Sequence, residues 1–215
     1  MLDLRLYLVT DTGMTRRHGL DATLRAAVRG GVTVVQLRDH DASDREFVAL
    51  GRLALAALRG TGVPLILNDR VRLVEEVGAQ GAHVGQSDLD PVRAREMLGH
   101  TAYLGLSCHT QDQVTAACAL PTGTVDYLGL GPVWATSTKA DHAAPLGPDG
   151  LASLARASTL PAVAIGGVDA SRLASVRAPG VAGVAVVSAV CRAEDPALAA
   201  RELRAGWGAS VEVGG

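Results

Sequence analysis

Tyr127-Leu-Gly-Leu-Gly-Pro-Val-Trp-Ala-Thr-Ser-Thr-Lys139 begins as one kind of chain and ends as another. Tyr127–Leu130 has the length and apolar character of a buried strand. Glycine and proline then break it, and three consecutive hydroxyl residues and a lysine follow. Hydroxyls and an ammonium donate hydrogen bonds and supply positive charge, so a strand that opens into them suits an oxyanion. Taken alone, the segment reads more simply as a polar loop with a solvated lysine. Repetition decides the matter, because at least four other strand-like runs end in the same way.

Short apolar runs recur at Leu6–Thr10, Thr33–Leu37, Pro64–Leu67, Gly81–Val84, Tyr103–Leu106, Ala162–Ile165 and Gly183–Val187. Segments of helical spacing separate them: Leu20–Arg29, Ser43–Arg59, Arg70–Val77, Pro91–Leu98, Gln111–Ala119, Pro148–Ala155, Ala170–Val176 and Pro196–Ala209. In the second, Phe47, Leu50, Leu53, Ala54, Ala57 and Leu58 share one face, and Ser43 with Glu46 forms a capping box. Strict alternation of strand and helix demands parallel strands, and eight repeats predict a closed single-domain (β/α)8 TIM barrel. An open doubly wound sheet would carry a nucleotide-type glycine loop after its first strand, and Thr10-Asp-Thr-Gly-Met-Thr15 is not one. No linker divides residues 1–215, and the tail Val211–Gly215 is expected to be frayed.

The 215 residues are 48% hydrophobic but only 3% aromatic, so the core is built from Val, Leu, Ile and Ala. A net charge of −2 without a basic block gives no case for nucleic acid. Cys108, Cys118 and Cys191 are odd in number and lack metal-like spacing, which suits reduced thiols in the cytoplasm. Neither a signal-peptide pattern nor an apolar run of membrane-spanning length is present. An apolar barrel exterior leaves room for a homo-oligomer.

In such a barrel the functional groups gather just after the strands. Gln36, Arg38 and His40 follow the second strand, Asn68-Asp69-Arg70 the third and His83 through Asp88 the fourth. Ser107-Cys-His-Thr110 follows the fifth, the hydroxyl-lysine loop the sixth, Gly166-Gly167 the seventh, and Val187-Ser188 the eighth. Asp69 and Asp88 come from adjacent strands, so they can share one hard cation such as magnesium with water and phosphate oxygens. Arg38 and Lys139 are opposing cations with no obvious acidic partner nearby in sequence. Carboxylates, magnesium and two cations suit a departing diphosphate. Gly166-Gly167 and Ser188 stand where barrels commonly bind a simple phosphate. Two anion sites imply two substrates.

These pieces closely resemble the thiamine-phosphate synthase family, from Tyr7-Leu-Val-Thr-Asp11 to Val186-Val-Ser-Ala189. Val35-Gln-Leu-Arg38, Leu67-Asn-Asp-Arg70, Gly81-Ala-His-Val-Gly-Gln86, Gly129-Leu-Gly-Pro-Val133, Thr136-Ser-Thr-Lys139 and Ala164-Ile-Gly-Gly167 carry the likeness. The resemblance implies a transferase that joins hydroxymethylpyrimidine diphosphate to hydroxyethylthiazole phosphate, or its carboxylated form, and releases diphosphate. It places pyrimidine-diphosphate contacts on Gln36, Leu37, Arg38, Asp39, His40, Asn68, Ser107 and Lys139. Thiazole-phosphate contacts fall on Thr136, Ser137, Thr138, Gly167, Val187 and Ser188, and Mg2+ falls on Asp69 and Asp88. Arg38, Lys139 and Ser107 are the candidate catalytic residues, with no covalent nucleophile among them. The family commonly has a lysine where this chain has His40. Two alternatives stay open: a related barrel branch that isomerises carboxythiazole phosphate using a histidine, for which His109 is the counterpart, and a non-catalytic metabolite sensor.

Overall fold

Alternate residues along each strand enter two different environments. The computed structural model describes residues 2–136, 144–178 and 180–208. In β1 (Leu6–Val9), Leu6 and Leu8 pack outward in one cluster with helix residues such as Leu24, Phe47 and Leu203. Tyr7 and Val9 instead join Val34, Ile66, Tyr127, Val163 and Ala185 in a separate cluster. This period of two is the pleat of an extended strand, and here both faces are buried.

The remaining strands are β2 (Val34–Leu37), β3 (Leu65–Asn68), β4 (Gly81–Val84), β5 (Tyr103–Cys108), β6 (Tyr127–Leu130), β7 (Ala162–Ile165) and β8 (Val181–Val186). Each pairs in parallel with its successor, and β8 returns to β1 through Leu6↔Val184, closing an eight-stranded barrel. The smaller cluster fills its interior. The larger one lies between the sheet and the helices.

Those helices are α1 (Leu20–Arg29), α2 (Asp44–Leu58), α3 (Val74–Val77), α4 (Pro91–Leu98), α5 (Gln111–Cys118), α6 (Gly147–Ala157), α7 (Ser188–Cys191) and α8 (Pro196–Gly208). The capping box expected at Ser43 is formed: Ser43 N–H donates to Glu46 Oε2 at 2.8 Å, and Glu46 N–H donates to Ser43 Oγ at 3.4 Å. Asp90 caps α4 by accepting from the Val92 and Arg93 amides at 3.0 and 3.1 Å.

Two predicted helices differ in kind. Arg70–Val77 divides into a 3-10 turn over Val71–Leu73 and the single α turn α3, while Ala170–Val176 is 3-10 throughout. In the second segment the buried residues Leu173 and Val176 recur at a step of three, which a 3-10 turn stacks on one face. A 3-10 turn at Met14–Arg17 and the short α7 are additional to the predicted set. No helix among the described residues is long and apolar enough to cross a membrane. The tail Val211–Gly215 lies outside them.

Candidate active site

The carboxyl ends of the strands surround a cavity of about 160 Å³. An apolar cavity of roughly this size holds one benzene ring. Gln36, Arg38, Asn68, Ser107, Thr136, Gly167, Val187 and Ser188 all line it, so eight residues selected from six separate loops meet around one cavity. Beside it runs an open groove flanked by Asp39 and His40, and Arg38 lines both spaces.

Arg38 is held from two sides. Its amide donates to the buried Thr10 hydroxyl at 3.1 Å, and its guanidinium lies 3.6 Å from Asp11. The side chain is only 12% exposed. Its acidic partner therefore does exist, and it comes from the end of the neighbouring strand, where sequence proximity could not reveal it. An anion entering here would meet a cation already oriented.

Asp39 has a different task. Its carboxylate accepts from the Thr12 hydroxyl and from the Asp41 and Ala42 amides at 3.0 and 2.9 Å. Burial pushes its pKa up, but these hydrogen bonds and the Arg70 charge outweigh it and hold the carboxyl below its ordinary range. A carboxylate so engaged shapes the loop and would repel a diphosphate, which leaves the Asp39 backbone as the group suited to contact one. The Leu37 side chain belongs to the outer apolar layer, so the same restriction applies. His40 is exposed on the groove.

The acidic pair stands apart from the cavity wall. Asp69 follows β3 at φ +60°, its amide donating to the His83 carbonyl of β4 at 2.9 Å and its carboxylate accepting from Asn68 Nδ2 at 2.5 Å. A non-glycine residue in the left-handed region is uncommon, although aspartate tolerates it better than most. Asp88 is exposed and accepts from the Gly85 amide at 2.7 Å; a Cβ on Gly85 would lie 2.9 Å from that carboxylate oxygen. Asp88 does not cap the following helix, whose cap is Asp90. Among the described residues no group of three or more His, Cys, Asp or Glu could hold a metal. The two carboxylates offer hard oxygen donors, which fit magnesium as a partly protein-bound ion that takes its other ligands from substrate and water.

At the opposite wall, Gly166 and Gly167 have φ of +96° and +68°. A Cβ on Gly167 would come within 2.8 Å of Trp134 Cβ, so only glycine fits this turn. Trp134 neither lines the cavity nor plugs the core; it packs on the edge of the outer cluster with Arg172 4.9 Å above its ring. Ser188 opens α7, the short extra helix after the last strand where barrels commonly bind phosphate. Ser137, Thr138 and Lys139 lie outside the described residues, as does His142.

Sequence reading named Gln36, His83 and Ser107 but missed the two tyrosines that join them into the cavity floor. Gln36 Nε2 donates to Tyr7 Oη at 2.9 Å, Tyr7 Oη meets Tyr127 Oη at 2.7 Å, and Tyr127 Oη meets His83 Nδ1 at 3.2 Å. His83 Nε2 then meets Ser107 Oγ at 2.9 Å. The available signal was that Tyr7 and Tyr127 lie within strand runs, where a buried phenol needs a hydrogen-bond partner for its hydroxyl. Cys108 is fully buried, and burial pushes its thiol up to about 12, which removes it as a nucleophile. The His109 ring donates from Nδ1 to the Gly131 carbonyl, on the same cavity wall.

A family model described as thiamine monophosphate synthase matches residues 6–190. Thiamine-phosphate synthase of Psychrobacter sp. is 47% identical over 93% of both chains, and that of Azorhizobium caulinodans is 46% identical over 94% of both. A solved thiamine phosphate pyrophosphorylase from Pyrococcus furiosus superimposes with a TM-score of 0.84 at 30% identity, covering 96% of each chain. A 3-hexulose-6-phosphate synthase, at 18% identity and TM-score 0.69, shares the barrel alone. With a matching model over most of its length and near-half identity to full-length relatives, this chain belongs to the thiamine monophosphate synthase family.

Proposed function

We propose that the protein is a thiamine-phosphate synthase, joining hydroxymethylpyrimidine diphosphate to hydroxyethylthiazole phosphate or its carboxylated form, with the whole chain working as one domain. The observation that carries this reading is Arg38, a pre-oriented cation shared between a ring-sized cavity and an open polar groove. That arrangement suits a flat heterocycle inside and a diphosphate outside.

The C–O bond of the pyrimidinylmethyl diphosphate breaks with its electron pair leaving on diphosphate, and the thiazole nitrogen then donates its lone pair to the resulting cation. The carboxylated thiazole also loses its carboxylate as CO2, the electron pair of that C–C bond staying on the ring carbon, which takes up a proton from water. No general base is needed. Arg38 stabilises the departing oxygens, with Lys139 as the second cation. Gln36, Asn68 and Ser107 hold the pyrimidine, and the Asp39 backbone and His40 line the approach of its diphosphate. Thr136, Ser137, Thr138, Gly167, Val187 and Ser188 hold the thiazole phosphate so that its nitrogen lies in line. Catalysis is then proximity plus stabilisation of developing charge. Asp69 and Asp88 would hold magnesium, which when bound would neutralise the diphosphate charge. The three free cysteines are consistent with work in the reducing cytoplasm.

The purified chain with both substrates and magnesium should form thiamine phosphate and diphosphate in equal amounts. Absence of both products would sink the coupling reaction. Conversion of the carboxythiazole isomer without any pyrimidine substrate would instead indicate the isomerase, for which His109 is the candidate base, and binding without turnover would indicate a sensor.

A further inference from the structure

The five-residue chain beneath the cavity begins and ends on it. Gln36 of β2 and Ser107 of β5 stand three strands apart around the barrel, and both line the cavity. Between them run Tyr7 of β1, Tyr127 of β6 and His83 of β4, all buried. Each of these three has one proton to give, so donors can be counted along the path.

Gln36 Nε2 has protons only, so Tyr7 Oη accepts from it. The Tyr7 proton is then free for Tyr127, the Tyr127 proton for His83 Nδ1, and the imidazole proton sits on Nε2 and points at Ser107 Oγ. Ser107 accepts that bond and keeps its own proton for the cavity. Gln36 Oε1 accepts no bond among the described residues and is the amide atom left for a ligand. Running every bond backwards requires the amide to turn over and the imidazole proton to move to Nδ1. The two ends are therefore linked: one accepts while the other donates.

We propose that Tyr7, Tyr127 and His83 are positioning residues forming a polarity relay, which fixes Gln36 as an acceptor and Ser107 as a donor and so selects an amino-substituted heteroaromatic ring. The idea rests on the synthase reading for its substrate class. An aminopyrimidine carries an amino donor directly across the ring from a nitrogen acceptor, matching the two ends. The corresponding oxo ring carries acceptors at both places, so its carbonyl would face the Gln36 oxygen. A site built to pair with one hydrogen-bond pattern rejects the analogue that leaves its groups unpaired.

Two further observations support the relay. Burial pushes both phenols well above their ordinary pKa, so they remain protonated links at any working pH. Gly105 also makes room for it, since a Cβ there would lie 2.3 Å from both His83 Nδ1 and Tyr127 Cζ. Five hydrogen-bonding side chains could have lined this floor as independent contacts; these are joined end to end.

The test uses the full chain and two neutral probes, 4-amino-2-methylpyrimidine and 2-methylpyrimidin-4-one. Nitrogen-15 NMR of labelled histidine, with His83→Asn to assign the signal, should show His83 protonated on Nε2. Proton on Nδ1 would overturn the direction of the relay. The wild type should bind the amino ring about tenfold more tightly than the oxo ring, a typical factor for one mismatched hydrogen bond of about 1.4 kcal/mol. Tyr127→Phe should shrink that preference below about threefold and disturb the His83 tautomer. Tyr7→Phe should shrink it equally while leaving the tautomer in place, because Tyr127 still donates. A preference that survives both substitutions would overturn the proposal. If neither variant folds, the wild-type tautomer and ring preference still decide it. Loss of thiamine phosphate formation with the ring preference intact would sink the synthase reading and leave the relay standing.

Discussion

Arg38, Asp69, Asp88 and His40 divide the charge of the mouth among themselves, and each has its own test. Arg38→Ala should lower kcat/KM by about 100-fold or more, the loss usual when a pre-oriented donor to developing charge is removed. Steady-state kinetics with both substrates would reveal it, and near-normal turnover would exclude that role. Asp69→Ala and Asp88→Ala should each abolish magnesium-dependent turnover while circular dichroism stays native. Asp88→Ala also frees the Gly85 amide, but that amide is solvent-accessible, so the stability cost should stay within about 1 kcal/mol. Full activity in either variant would remove the metal assignment. A lysine in place of His40 would carry a full positive charge beside the groove, so His40→Lys should lower the pyrimidine-diphosphate KM at neutral pH; an identical KM would leave His40 without a part in binding.

At the scale of elements, the strand ends are set by local chemistry that has nothing to do with catalysis. The Ser43–Glu46 box begins α2, and Arg70 bonds Asp44 Oδ1 and the Ala42 carbonyl at 2.5 Å each while stacking 4.6 Å over Phe47. Together they fix the loop after β2 against the start of the next turn. Ser43→Ala should cost about 1 kcal/mol in urea unfolding with kinetics almost unchanged. The inward glycines have the opposite character. Gly105→Ala would drive a methyl into His83 and Tyr127, so turnover should fall even in protein that remains folded by circular dichroism. Unaltered pyrimidine KM in that variant would show that the floor tolerates displacement.

Across the whole molecule, stability and activity are assigned to opposite ends of the barrel. Arg95, buried at the entry end of β5 and β6, donates to the Thr124, Gly99 and Ala102 carbonyls and to Asp126 at 2.8 Å. Arg95→Met should destabilise the fold by roughly 3–5 kcal/mol, because three carbonyls and a carboxylate lose a buried partner. The kcat of the folded fraction should be unchanged, and a large fall in it at constant fold would contradict the separation of the two ends. Eight strand–helix repeats were legible in the sequence because hydrophobic period is local: Gly81–Val84, Tyr127–Leu130 and Ala162–Ile165 carry identical bounds in the structure. The residues after each strand were legible for the same reason, since a barrel turns order along the chain into convergence on one face. Partners contributed by other strands were not. Arg38 with Asp11, Asp39 with Thr12, and the path from Gln36 through Tyr7, Tyr127 and His83 to Ser107 join residues from 24 to 120 positions apart at single links, or a strand away. Periodicity records which face a side chain takes, but only closure of the barrel sets which inward side chains meet, and so which way each hydrogen bond runs.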